Sequence, residues 1–89
     1  MSFNNDNLKL VLITIHDLGK SHPLNRVDTS EIAKKTNLKN QELYDILKFL
    51  KKEDYLKAHS SLEAMYGIGG GSLQVSLTDK GLSVIEELN

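Results

Sequence analysis

The sequence has 89 residues, of which 39% are hydrophobic, and it carries a formal net charge of −1 and no cysteine. This length predicts one domain, residues 1–89, with a single small core and no separate catalytic domain. The lack of cysteine excludes disulfides, thiolate nucleophiles and zinc sites built on cysteine pairs. Because no apolar run could span a membrane and residues 1–7 do not resemble a signal peptide, we expect a cytoplasmic protein.

The positive charge lies in the middle of the chain. Residues 34–57 contain seven lysines against four acidic residues, so they carry +3 while the rest of the chain carries −4. Ten of the eleven basic residues are lysine, and the one arginine is Arg26. This distribution could orient the middle segment on a polyanion, whereas the scarcity of arginine limits bidentate recognition of phosphate or guanine.

Apolar residues at helical spacing predict a first helix that begins at a cap on Asp6 or Asn7 and stops at Gly19. The residues of the apolar stripe are Leu8, Val11, Leu12, Ile15 and Leu18. Leu10 and Ile13 lie off this stripe, so the helix is apolar on more than one face. We therefore expect another element or another chain to cover them.

A turn and a short strand separate the first helix from the second. Pro23 ends any helical run in the turn, and residues 26–27 are predicted to form a short edge strand. Asp28 and Glu31 have the spacing of a capping box, in which each side chain accepts a hydrogen bond from an early amide of the helix. The second helix is therefore predicted to start at about Thr29.

A tight turn around Leu38 leads into a third helix, predicted at about residues 41–53. Its inward stripe consists of Leu43, Ile46, Leu47 and Leu50. The turn and the opposite face carry polar side chains, namely Lys39, Asn40, Gln41, Tyr44, Asp45, Lys48 and Lys52. Amide side chains can read adenine edges and ammonium groups can hold phosphates, so this face is suited to DNA.

Two alternating segments, residues 55–58 and 73–77, predict the paired strands of a hairpin. The connection between them is unusually long, contains a run of glycines at residues 67–71, and is interpreted as a flexible tip. Its apolar side chains are Leu62, Met65, Tyr66 and Ile68. Thr78 is predicted to cap a fourth helix, whose inward stripe consists of Leu82, Ile85 and Leu88.

This order predicts an α+β, mostly α fold: helix, short strand, helix, helix, two-stranded wing and helix. The segments DTSEIAKKTNLKNQELYDILKFLKKEDYL and VSLTDKGLSVIEEL resemble the helix-turn-helix and the exit from the wing of winged-helix transcriptional regulators of the MarR and PadR type. The resemblance covers roughly residues 8–88, with the helix-turn-helix at about 28–53 and the wing at about 55–77. It implies a small regulator that binds double-stranded DNA, with a recognition helix in the major groove. The implied contacts are Lys39, Asn40, Gln41, Tyr44, Lys48 and Lys52.

Three features depart from those regulators. Asp45 lies on the outward face where they often carry a basic residue, residues 58–74 of the wing contain no lysine or arginine, and long dimerising terminal helices are missing. These departures favour an alternative, a winged-helix protein interaction module, encoded by a phage or another mobile element, without specific DNA binding. Its partner interface would consist of Leu10, Ile13, Leu62, Met65, Tyr66 and Ile68. A homodimer would form through the first helix, the fourth helix or the wing loop.

Other classes of function lack a motif. The histidines have no metal-ligand spacing, the adjacent Glu86 and Glu87 diverge around a helix, and no serine has the setting of a nucleophile elbow. The glycine run matches no phosphate-binding loop and precedes a strand. We therefore expect no enzyme, no metal and no cofactor.

Overall fold

The computed structural model describes residues 4–59, 62 and 73–88. Within them the chain has an α+β architecture, mostly helical, with one small antiparallel sheet. The elements are α1 (Asn5–Gly19), a 3-10 turn (Pro23–Asn25), β1 (Val27–Asp28), α2 (Thr29–Thr36), α3 (Asn40–Lys52), β2 (Leu56–Ala58), β3 (Gln74–Leu77) and α4 (Asp79–Leu88). The predicted order of elements is confirmed, and the predicted bounds differ from the observed ones by at most three residues.

The start of α1 is set by Asn4, whose side chain accepts a hydrogen bond from the backbone N of Asn7 at 2.7 Å. The predicted cap at Asp6 or Asn7 is therefore wrong, because both residues already lie inside the helix. The apolar stripe begins only at Leu8, so periodicity could not locate a polar first turn. The helix ends at Gly19, as predicted.

The second helix starts at Thr29, as predicted, but without the predicted capping box. Asp28 makes no capping hydrogen bond through its side chain. Glu31 is instead paired with His22, whose Nε2 lies 2.9 Å from the Glu31 carboxylate. Thr29 Oγ1 accepts from the backbone N of Leu73 at 3.2 Å. The start of α2 therefore bonds to the preceding turn through Glu31 and to residue 73 through Thr29, and not through the predicted capping box.

The sheet has the order β1-β3-β2, with both pairs antiparallel. Val27 pairs with Val75, which in turn pairs with Ala58, so these residues share the inward face. The predicted strand at residues 26–27 is shifted by one, because Val27–Asp28 makes the pairing and Arg26 precedes it.

The core lies between the inward face of the sheet and the helices. It consists of Val11, Leu12, Ile15, Val27, Ile32, Leu43, Ile46, Leu47, Leu50, Leu56, Leu62, Leu73, Val75 and Ile85. Leu62 is only 3% exposed, so its predicted place in a partner interface is corrected: it packs into the core. The other apolar side chains of the predicted stripes are buried or packed against this core where they are described, except Leu82, which is half-buried.

A joint between residues 53–55 and 78–81 connects the end of α3 to the start of α4. The predicted cap at Thr78 is confirmed, since Gly81 N donates to Thr78 Oγ1 at 3.1 Å. The same hydroxyl donates to the carbonyl of Asp54 at 2.6 Å, and Thr78 N donates to the carbonyl of Tyr55 at 3.1 Å. A Cβ at Gly81 would overlap the Tyr55 carbonyl oxygen. The joint therefore requires glycine at this position.

Candidate nucleic-acid interface

Helix α3 has one face in the core and one face towards solvent. Its four predicted inward residues are all 0% exposed. The outward face of α3 consists of Gln41, Tyr44, Asp45, Lys48 and Lys52, and it combines exposed and half-buried side chains. Packing on the inward side fixes the helix, so these polar side chains are held at defined positions along the surface.

The first two predicted contact residues lie at the beginning of α3. Lys39 is the N-cap residue, and its carbonyl accepts from Leu43 N at 3.0 Å. The helix begins at Asn40, one residue before its predicted start at Gln41. Lys39 and Asn40 are both exposed, so the structure brings all six predicted DNA-contact residues onto α3 or its N-cap.

Side chains four residues apart contact each other along the outward face. Gln41 Nε2 donates to Asp45 Oδ1 at 3.1 Å, and the Lys48 ammonium lies 5.9 Å from the centre of the Tyr44 ring. Glu42, the other carboxylate of α3, accepts from Asn7 Nδ2 at 2.5 Å. Both carboxylates of α3 therefore accept hydrogen bonds from neutral amide side chains within the protein.

A second polar surface lies on the outward face of the sheet. Lys57 pairs with Ser76, and continuing the β1-β3 register by one residue places Arg26 beside Ser76. His59 N donates to the Gln74 carbonyl at 2.9 Å, and His59 Nε2 lies 2.9 Å from Ser76 Oγ. We call Arg26, Lys57 and His59 the sheet patch.

The electrostatics of His59 reflect this grouping. Partial burial lowers the pKa of His59, and the positive charges of Arg26 and Lys57 lower it further. Arg26 and Lys57 are thus each close enough to act on His59, and an anion placed among the three side chains would offset their positive charge.

The sequence prediction missed the sheet patch because it did not place Arg26 beside Lys57 and His59 of the wing. Arg26 lies far from the wing along the chain, and it reaches the patch only through the pairing of β1 with β3. The signal that could have found it was the predicted edge strand at residues 26–27, placed against the wing.

Three of the residues predicted for a partner interface are described, and these three do not share one surface. Leu10 and Ile13 are 40% and 38% exposed on α1, away from its buried stripe. Leu62 is in the core. Met65, Tyr66 and Ile68, together with the glycine run, lie outside the described residues.

Neither a metal-ligand cluster nor a membrane-spanning helix occurs in the described part of the chain. No group of three or more histidine, aspartate or glutamate side chains there could hold a metal ion. None of the helices described has both the length and the apolar character needed to cross a membrane.

The fold is similar to that of two solved structures. BpsR of Bordetella bronchiseptica, whose DNA binding is regulated by 6-hydroxynicotinic acid, aligns with 92% of this chain at a TM-score of 0.71 and 18% identity. The chain spans 54% of that BpsR chain. A candidate DNA-binding protein of Ralstonia eutropha JMP134 aligns over 96% of both chains, with a TM-score of 0.74 and 19% identity. No protein-family model and no curated protein matches the sequence. At these identities the likeness shows a shared fold.

Proposed function

We propose that this chain is a small winged-helix DNA-binding protein and a transcriptional regulator of the MarR or PadR type. In this proposal α3 enters the major groove of double-stranded DNA, and the protein binds rather than catalyses. The fold shared with BpsR and with the Ralstonia protein supports this class of function.

The observation that carries the proposal is the division of α3 into a fully buried face and a polar outward face. A 13-residue helix is about 20 Å long, and the major groove is about 12 Å wide, so the outward face can lie along the base edges. Gln41 and Tyr44 would lie nearest the bases. Lys48 and Lys52 would contact phosphates, with Lys39 and Asn40 at the leading end of the helix.

The sheet patch would provide a second set of phosphate contacts. The net charge of −1 belongs to the whole chain, but local charge is what a phosphate meets. Arg26 and Lys57 offer that local charge, Lys57 within strand β2 of the wing and Arg26 beside strand β3. In this proposal they supply the positive charge that residues 58–74 lack.

Titration of the protein against mixed-sequence duplex DNA at low salt tests the proposal. We expect binding whose affinity falls linearly with the logarithm of salt concentration, because phosphate contacts release counterions. A lack of binding at high micromolar protein would contradict it.

One observation favours the second candidate, a protein interaction module. Leu10 and Ile13 are large apolar side chains left partly exposed one turn apart on α1. In that case the double variant Leu10→Ser and Ile13→Ser would abolish a protein complex or a homodimer, measured as solution mass, and leave duplex binding by a monomer unchanged.

A further inference from the structure

Asp45 has an unusual place for an acidic residue on a surface proposed to meet DNA. It lies in the middle of the outward face of α3, one turn beyond Gln41 and one turn before Lys48 and Phe49. A carboxylate there should repel phosphate, so its charge does not explain why an acidic residue lies at this position. The hydrogen bond from Gln41 to Asp45 offers an explanation.

The hydrogen bond between the two side chains fixes which way the Gln41 amide points. An ionised carboxylate only accepts hydrogen bonds, so the amide nitrogen, and not the amide oxygen, must face Asp45. The donor and acceptor are 3.1 Å apart, and the pair is exposed. Gln41 is therefore left with its carbonyl oxygen and one N–H directed away from Asp45.

An acceptor beside a donor matches one base edge in the major groove. Adenine presents the N6 amino donor beside the N7 acceptor, which an amide side chain can bind with two hydrogen bonds. Guanine presents acceptors at both O6 and N7, and its O6 would face the Gln41 carbonyl oxygen. A freely rotating amide could turn its N–H groups towards guanine, whereas an amide held by Asp45 cannot.

We propose that Asp45 is a positioning residue that holds the Gln41 amide in the orientation that selects adenine over guanine at one position of the bound site. This inference rests on the proposed function, because it requires α3 to meet base edges. It gives the acidic residue a role in base selection and not in affinity.

The test compares variants at the two positions on the same DNA. Sites are selected from randomised duplexes with the unmodified protein, and binding is then measured on duplexes that differ by adenine or guanine at the selected position. We expect the unmodified protein to prefer adenine by about tenfold or more, as a bidentate contact does. Asp45→Ala should lose most of this preference while binding unselected duplex as tightly or more tightly, since a negative charge has been removed.

Asp45→Asn tests whether a partner that only accepts is needed. An asparagine side chain can accept from Gln41 Nε2 or donate to Gln41 Oε1, so it no longer fixes the direction of the amide, and this variant should lose part of the preference for adenine. Gln41→Ala should lose the preference, and adding Asp45→Ala to it should cause little further loss, because the two residues act as one unit. The asparagine variant and the Gln41 variant keep the test valid even if Asp45→Ala folds poorly.

The outcomes distinguish this inference from the function it rests on. Duplex binding with an adenine preference that survives Asp45→Ala, or that Asp45→Asn leaves undiminished, would overturn the inference alone. A protein that binds no duplex would overturn both.

Discussion

The joint and the outward face of α3 are held together by different kinds of contact. In the joint, side chains and backbone bond to backbone carbonyls: Thr78 bonds to two of them, and the Lys80 ammonium donates to the Glu53 carbonyl at 3.0 Å. On the outward face, Gln41 contacts Asp45 and Lys48 contacts Tyr44 through side chains that are exposed or half-buried. Substitutions in the joint should therefore change the free energy of unfolding, whereas substitutions on the outward face should change binding.

The largest effect is expected at Gly81. Replacing Gly81 with alanine places a methyl group against the Tyr55 carbonyl, and backbone on both sides must shift. Because such overpacking costs about 1–3 kcal/mol and here involves backbone, we expect a loss of at least that size in the free energy of unfolding. Chemical denaturation monitored by circular dichroism measures it.

Gly19→Ala is the matched control. Gly19 is also buried, but the nearest atom to a Cβ there is the Asn25 carbonyl oxygen at 3.4 Å, an ordinary contact. We expect a much smaller change in stability than at Gly81. Equal effects at the two glycines would show that the close approach at the joint is not what makes Gly81 necessary.

The next effect should appear in binding, at the lysines of the outward face. Removing both ammonium groups with Lys48→Ala and Lys52→Ala should weaken binding to all duplexes and lower the slope of log affinity against log salt by about 2, one per lost phosphate contact. Stability should change little, because both side chains are exposed.

A control pair removes the same charge elsewhere. Lys9 and Lys20 are exposed at α1, and replacing both with alanine lowers the net charge equally. An equal loss of salt dependence in this pair would indicate that overall charge, and not the position of α3, governs binding.

A moderate effect is expected at Thr78. Thr78→Ala removes the oxygen that caps α4 and should lower the free energy of unfolding by about 1 kcal/mol. Thr78→Ser keeps the hydroxyl and should recover most of that loss. If serine were no better than alanine in thermal denaturation, the cap would not be the source of the stability.

The smallest effect concerns His59, on the sheet patch. The pKa of His59 is lowered in the folded chain from its ordinary value of 6.5, so the unfolded chain binds the proton more readily. Its contribution to stability is complete above about pH 6.5 and is lost as the pH falls below that value. His59→Gln should reduce this loss in denaturation measured between about pH 7.5 and pH 5.5. A pH profile that the substitution leaves unchanged would contradict a lowered pKa at His59.

The sequence predicted the parts of the fold that depend on neighbours along the chain. The inward stripe of α3 and the cap at Thr78 follow from spacing within one or two helical turns, and both were correct. The predicted hydrogen bond from the start of α2 to Glu31 was wrong, because the Glu31 carboxylate pairs with His22 in the preceding turn instead.

The candidate site was predictable in its residue types but not in its contacts. Periodicity identified which side chains of α3 face outward. It did not show that Asp45 accepts from Gln41, although the spacing of four residues allows that bond. The grouping of Arg26 with His59 required the order of strands in the sheet, which local spacing does not contain.

The joint also has a mechanical consequence. Thr78 and Gly81 fit against the carbonyls that follow α3. A tilt of α4 about its first turn must therefore also displace the last turn of α3. The two helices are therefore coupled at Tyr55, whose carbonyl lies against both Thr78 and Gly81. A force applied to the far end of α4 would therefore reach α3 through the backbone contacts of the joint.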